Sequence, residues 1–211
     1  MVPVLRVIVF VAGAVLMALE IVGSRVVAPH FGSSIFVWGS LISVFLTGLS
    51  AGYYAGGRLA DRWPSYALLA WLLVPPGVWI LALPAAAPWL NEAVVAADLG
   101  PRWGPLVITT LLFLVPSVCL GLVSPFAIRL AARSLSTVGN TAGVLYALST
   151  AGSIAGTLGT AFFLIPNFGT RAIVFGLGVT LLVLAAAAGA DAVRLKAAAR
   201  PVAAPAGGGA V

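Results

Sequence analysis

Six long apolar stretches, almost free of charge, fill this 211-residue chain. About 20 predominantly apolar residues suffice for a helix to cross the hydrocarbon core of a bilayer. Such a helix satisfies its own backbone hydrogen bonds where no water can. The spans read as Val4 to Ala28, Ser33 to Gly57, Tyr66 to Leu90, Gly104 to Ile128, Thr141 to Ile165 and Thr170 to Ala190. Hydrophobic residues make up 62% of the chain and charged residues 8%, and mean hydropathy is +1.15. A soluble domain of that composition would lack the polar surface to stay in solution, so the lipid bilayer is the required partner. The expected fold is all-α, a polytopic six-helix membrane protein. The first stretch reads as a span and not as a cleaved signal peptide: it is too long, Glu20 interrupts it, and no clean small-x-small cleavage site follows.

The net charge of +6 speaks for topology and against nucleic acid, because Lys and Arg concentrate in cytoplasmic loops. With the N-terminus inside, Arg6, Arg58, Arg62, Arg129, Arg133, Arg194, Lys196 and Arg200 are cytoplasmic, whereas Arg25, Arg102 and Arg171 lie on the outer side. Both termini are then cytoplasmic, in a membrane of the bacterial inner (plasma) type. Trp38, Trp89 and Trp103 would mark the outer interface and Trp63 and Trp71 the inner one, with Trp79 left for packing within its span. Loops are short apart from Asn91 to Trp103 and Arg129 to Asn140, which favours one compact bundle over residues 1–190. Residues 191–211 begin basic and end in Ala, Pro and Gly, a tail with nothing to bury. The single Cys119 cannot form an intrachain disulfide.

The second span carries Gly48, Gly52 and Gly56, and the fifth Gly152 and Gly156, at intervals of four. Such stripes let another backbone approach closely, within the chain or between copies. The two spans occupy equivalent places if the bundle is two three-helix repeats of inverted topology, a common transporter plan.

Among the polar groups, Glu20 is the most informative, because an ionisable side chain inside a span is costly and usually faces protein or water. It lies about 24 Å along the helix from Val4, in the outer half of the membrane, where a protonatable carboxylate suits proton coupling or a cationic substrate. A fixed ion pair is the plainer alternative. Arg25 is rotated by roughly 140° from Glu20 around the helix, so another helix would have to supply Glu20's partner. Arg171 could reach inward by snorkelling. Glu20, Arg25 and Arg171 are the candidate substrate or proton-binding residues. His30, in the short turn with Pro29 and Gly32, reads as a turn residue, and no Cys/His/carboxylate cluster has metal-ligand spacing; neither a metal nor any other cofactor is expected. Pro75, Pro76 and Pro84 should break the third span and Pro116 and Pro125 the fourth, with Pro166 ending the fifth. The carbonyls they free must be satisfied by neighbours or line a cavity. Ser43, Thr47 and Ser50, with Ser149, Thr150 and Ser153, offer hydroxyls to a substrate or to neighbouring helices.

Gly56-Gly57-Arg58-Leu59-Ala60-Asp61-Arg62 resembles the signature loop between the second and third helices of the major facilitator superfamily, with Trp63-Pro64 in place of its last part. The resemblance implies a conformational loop of Gly57, Arg58, Asp61 and Arg62, with Asp61 near the N-terminus of a helix in an opposite half-transporter. A broader resemblance runs from Leu19-Glu20-Ile21-Val22-Gly23-Ser24-Arg25 through Ala28-Pro29-His30-Phe31-Gly32 and Trp38-Gly39-Ser40 to Leu59-Ala60-Asp61-Arg62. It continues in Ser124-Pro125-Phe126, Gly143-Val144-Leu145-Tyr146-Ala147 and Leu164-Ile165-Pro166-Asn167-Phe168-Gly169. Together these look like the membrane portion of fused facilitator/spermidine-synthase-like proteins, whose members carry a soluble aminopropyltransferase-like domain. After Ala190 nothing here supplies a strand, a Gly-rich nucleotide turn or catalytic acids, so the enzyme activity is not expected. The resemblance implies a half-size facilitator-like transporter working as a homodimer, the second span of one copy against the fifth of the other, with a small substrate such as an amine between them. The alternative is a noncatalytic membrane anchor for a separately encoded, soluble synthase-like partner, docked on Arg129, Arg133 and the basic tail.

Overall fold

The computed structural model of the protein describes residues 2–132 and 138–198. These residues are helical almost throughout, and six helices are long and apolar enough to cross a membrane. The first span is α1 (Val2–Phe31) and the second α2 (Ile35–Arg62). The third is divided into α3 (Tyr66–Leu72) and α4 (Val74–Ala96), and the fourth into α5 (Gly100–Gly121) and α6 (Val123–Ala131). The fifth comprises α7 (Val138–Gly159), a π turn (Thr160–Leu164) and α8 (Ile165–Asn167), and the sixth is α9 (Thr170–Ala198). The helices outrun the expected spans, so two expected loops shrink. Asn91 to Trp103 is helical except for three residues after Ala96, and the connection after the fourth span begins only beyond Ala131. The first residues of the expected 191–211 tail, up to Ala198, continue α9; Arg133, Arg200 and the rest of the tail lie outside the described residues.

Proline explains the interruptions, with two corrections to expectation. The third span breaks at Leu73, just before Pro75 and Pro76, and the fourth at Leu122, three residues before Pro125. Pro84 and Pro116 lie inside continuous helices. At Pro116 the reason is visible: proline has no N–H to offer the carbonyl four residues earlier, that of Leu112, and Trp79 Nε1 donates to this oxygen instead, over 2.9 Å. The mid-span tryptophan thus ties α4 to α5 at the point where α5 lacks a backbone bond. Pro166 acts similarly on its own helix, leaving Phe162 without its usual donor. The preceding turn widens, and Ile165 N–H bonds to Thr160 O.

The largest helix contacts are between the second and fourth spans, the first and fifth, and the third and sixth. Small residues make each possible. A Cβ on Gly48 would meet Ser117, one on Gly52 the backbone of Val118 and Gly121, and one on Gly56 that of Leu122. Gly152 and Gly156 abut the backbone of Phe10 and Ala14 on α1, and Gly13 abuts Ser149. Gly77 and Gly178 face each other across α4 and α9, each also against a leucine, Leu182 and Leu81 respectively. The two stripes of the sequence are therefore covered inside the chain. The expectation that they join the second span of one copy to the fifth of another is corrected: those surfaces are already used. A buried core including Phe45, Phe113 and Phe126 runs between the helices, with Phe45 and Phe113 ring centroids 5.7 Å apart.

The end of the bundle holding the resemblance motif also differs from expectation. Gly57 to Arg62 form the last turns of α2 and not a loop, the helix running through the Gly56-Gly57 pair and closing at Trp63, just before Pro64. Asp61 Oδ1 accepts a hydrogen bond from Arg129 Nε of α6 at 2.9 Å, a pair within the chain. Arg58 lies over the Tyr54 ring at 4.2 Å and Arg62 over Trp63 at 4.8 Å.

Candidate functional site

Two cavities gather six of the polar residues that the sequence singles out: Ser149, Thr150 and Ser153 in one, and Arg25, His30 and Arg171 in the other. The first, of about 250 Å³, lies among the first, second, fourth and fifth spans. Gly13 and Met17 of α1, Tyr53 of α2 and Ser124 of α6 contribute to its wall, and α7 adds Tyr146, Ser149, Thr150 and Ser153. Among the described residues no Arg, Lys, Asp or Glu lines it; it is a chamber of hydroxyl and phenol oxygens with apolar packing between them. Ser153 Oγ donates to Gly13 O at 3.3 Å, joining α7 to α1. By contrast, Ser149 and Thr150 make no hydrogen bond with a described residue.

This cavity borders the least enclosed part of the bundle. Only 17% of the fifth span's most apolar window is buried, against 39% to 50% in the other five. On α2, Ser43, Thr47, Ser50 and Tyr54 recur at spacings of four, three and four, one helical face, and all are exposed. The three hydroxyls of Ser43, Thr47 and Ser50 have no hydrogen-bond partner among the described residues. Several core hydroxyls are satisfied by their own helix, as Ser40 by Phe36 O (2.6 Å), Thr109 by Pro105 O (2.7 Å) and Ser117 by Phe113 O (2.7 Å), whereas Thr160 Oγ1 is buried without a partner among the described residues.

Glu20 is half-buried on α1 and makes neither an ion pair nor a hydrogen bond with a described residue. It lines neither of the two cavities. It does stand on the helical face of Gly13 and Met17, one turn beyond Met17.

The second cavity, of about 350 Å³, lies among the first, third and sixth spans at the end opposite Asp61 and Arg129. It brings together Arg25 and His30 of α1, Asn91 of α4 and Arg171 of α9. The structure thus divides the expected trio: Arg25 and Arg171 share a wall and Glu20 does not. His30 belongs to the last turn of α1, whose helix closes at Gly32, with φ of 70° and its N–H bonded to Ala28 O at 2.8 Å. Asn91 was missed as a site residue because the sequence places it at the edge of a presumed loop; in the longer helix it is 1% exposed. Its Nδ2 donates to Ala87 O at 2.8 Å, while Oδ1 has no partner. No group of His, Cys, Asp and Glu among the described residues is placed to hold a metal ion.

Comparison with protein-family models, curated proteins and solved structures gives no match.

Proposed function

We propose that the chain is a half-size facilitator-like carrier that works as a homodimer, with a small cationic amine bound between the copies at the cavity of the first, second, fourth and fifth spans. The observation that carries this reading is the uncovered face beside that cavity. Unpaired hydroxyls cost free energy when they face hydrocarbon, so Ser43, Thr47, Ser50 and Thr150 call for water or protein opposite them. A second copy set face to face would supply both and enclose the cavity. The contact is made by the exposed sides of α2 and α7, around Leu46 (61% exposed) and Ile154 (56% exposed), and not by the glycine stripes.

The pairing of spans supports two inverted three-helix repeats. Exchanging the first three spans for the last three turns the second–fourth contact into the fifth–first and leaves the third–sixth in place. Oxygen acceptors, two tyrosine rings and, among the described residues, no basic side chain favour an amine, and Glu20 supplies a carboxylate on the same face of α1 as Gly13 and Met17. The anchor reading has less support, since Arg129 of its docking face is engaged by Asp61. The test is uptake of radiolabelled putrescine by liposomes holding the purified chain alone. Uptake lost in Tyr53→Phe/Tyr146→Phe and in Glu20→Gln supports the reading; amine flux equal to that of protein-free liposomes overturns it.

A further inference from the structure

We propose that the cavity among the first, third and sixth spans binds a phosphate group, carried by a lipid headgroup or by a soluble phosphate. The inference is independent of the carrier reading, for the two cavities share no lining residue.

Two guanidiniums on different helices, Arg25 on α1 and Arg171 on α9, meet at this cavity. Arginine stays charged, and a cation near a membrane is ordinarily matched by an anion or by water. Neither side chain has an ion-pair or hydrogen-bond partner among the described residues, and no carboxylate lines the cavity. His30 adds a ring N–H donor. These three recognise an oxyanion. The fourth polar group narrows the choice: Asn91 is buried in the wall, and its Oδ1 lacks a donor, a costly deficit when nothing fills it. A carboxylate or sulfate at neutral pH brings only acceptors. Hydrogenphosphate or the phosphoglycerol of a lipid brings O⁻ for the arginines and O–H for Asn91. The rest of the wall, including Leu83, Pro84 and Val174, is apolar and suits the glycerol or chain beside such a group. The volume, about 350 Å³, is at the small end of ligand pockets, roughly 300 to 1,000 Å³, enough for a headgroup and too small for a whole lipid.

The test uses the full chain in dodecyl maltoside and phosphate-free buffer, with phenylglyoxal modification of each arginine followed by peptide mass spectrometry. Inorganic phosphate, phosphatidylglycerol and diacylglycerol are added separately. The expected result is at least about a fivefold slowing at Arg25 and Arg171 by phosphatidylglycerol or phosphate, with Arg194, 83% exposed, as unchanged reference. Protection by the lipid alone assigns a headgroup; protection by phosphate alone assigns a soluble ligand; either supports the proposal. Protection by neither, or equally by diacylglycerol, overturns it. Asn91→Leu keeps the helix and removes the unpartnered oxygen, and it should raise the concentration for half-protection about tenfold, as one lost hydrogen bond to a ligand does. An unchanged value overturns the assignment of phosphate.

Discussion

Alanine at two glycines of the covered stripes should weaken the bundle, and alanine at two other glycines should not. At Gly52 a new Cβ would lie 2.7 Å from Gly121 Cα and closer still to Val118 O, where ordinary contact begins at 3.4 Å. At Gly152 it would run into Phe10 O, with Phe10 C 2.8 Å away. Both obstacles are backbone, so relief requires whole helices to part by more than half an ångström, opening a seam along each pair. In lipid, helix association rests on close packing and not on hydrophobic burial, so the seam loses the contact that holds the pair. Overpacking costs about 1 to 3 kcal/mol, whereas glycine to alanine within a helix returns about 1 kcal/mol. Gly39 and Gly176 are helical with nothing within 4 Å of a new Cβ, so there only the gain remains. Gly52→Ala and Gly152→Ala should therefore fall about 1 to 3 kcal/mol below Gly39→Ala and Gly176→Ala. The assay is SDS-induced unfolding in mixed micelles, followed by tryptophan fluorescence, at two protein concentrations. Equal stability of all four variants would refute the packing argument, and a loss that disappears on dilution would return the stripes to a contact between copies.

Trp79→Phe leaves Leu112 O without a donor beside Pro116 and should cost about 1 to 3 kcal/mol in the same assay; in Trp79→Phe/Pro116→Ala, where a backbone N–H is restored, most of that loss should vanish. Thr160 Oγ1 is buried without a partner, so Thr160→Val should be neutral or raise the unfolding midpoint, and a fall would reveal a bond to that hydroxyl. Asp61 and Arg129 are 74% and 49% exposed, so a double-mutant cycle should return under about 1 kcal/mol of coupling, smaller still in high salt.

Span number and order were legible in the sequence because apolar length is a one-dimensional property. The ends were not: Gly57 to Arg62 and Asn91 to Ala96 are polar enough to resemble loops, yet contain no proline, and the helices run on through them. Proline marked the breaks at Leu73 and Leu122 but misled at Pro116, since Trp79 and Leu112 are 33 residues apart and only tertiary structure brings the compensating donor. The glycine stripes announced close approach without naming the neighbour, because spacing describes one helix only. Gly13, Gly77 and Gly178, each without a four-residue companion, gave no such signal. At the sites, Arg25 and Arg171 were visible as unusual charges near span ends, but Asn91 became distinctive only once buried, and the separation of Glu20 from the arginines depends on which spans meet.

The central claim is that the uncovered face of α2 and α7 mates with a second copy. It is tested most directly by disulfide trapping in native membranes with Leu46→Cys and Ile154→Cys in a Cys119→Ser background, on two differently tagged copies each carrying one of the cysteines. Formation of a tagged heterodimer by that pair, and its absence when the cysteines stand at the inward-facing positions 52 and 156, is the predicted result. No trapped dimer at 46 and 154, or equal trapping at 52 and 156, would contradict the account.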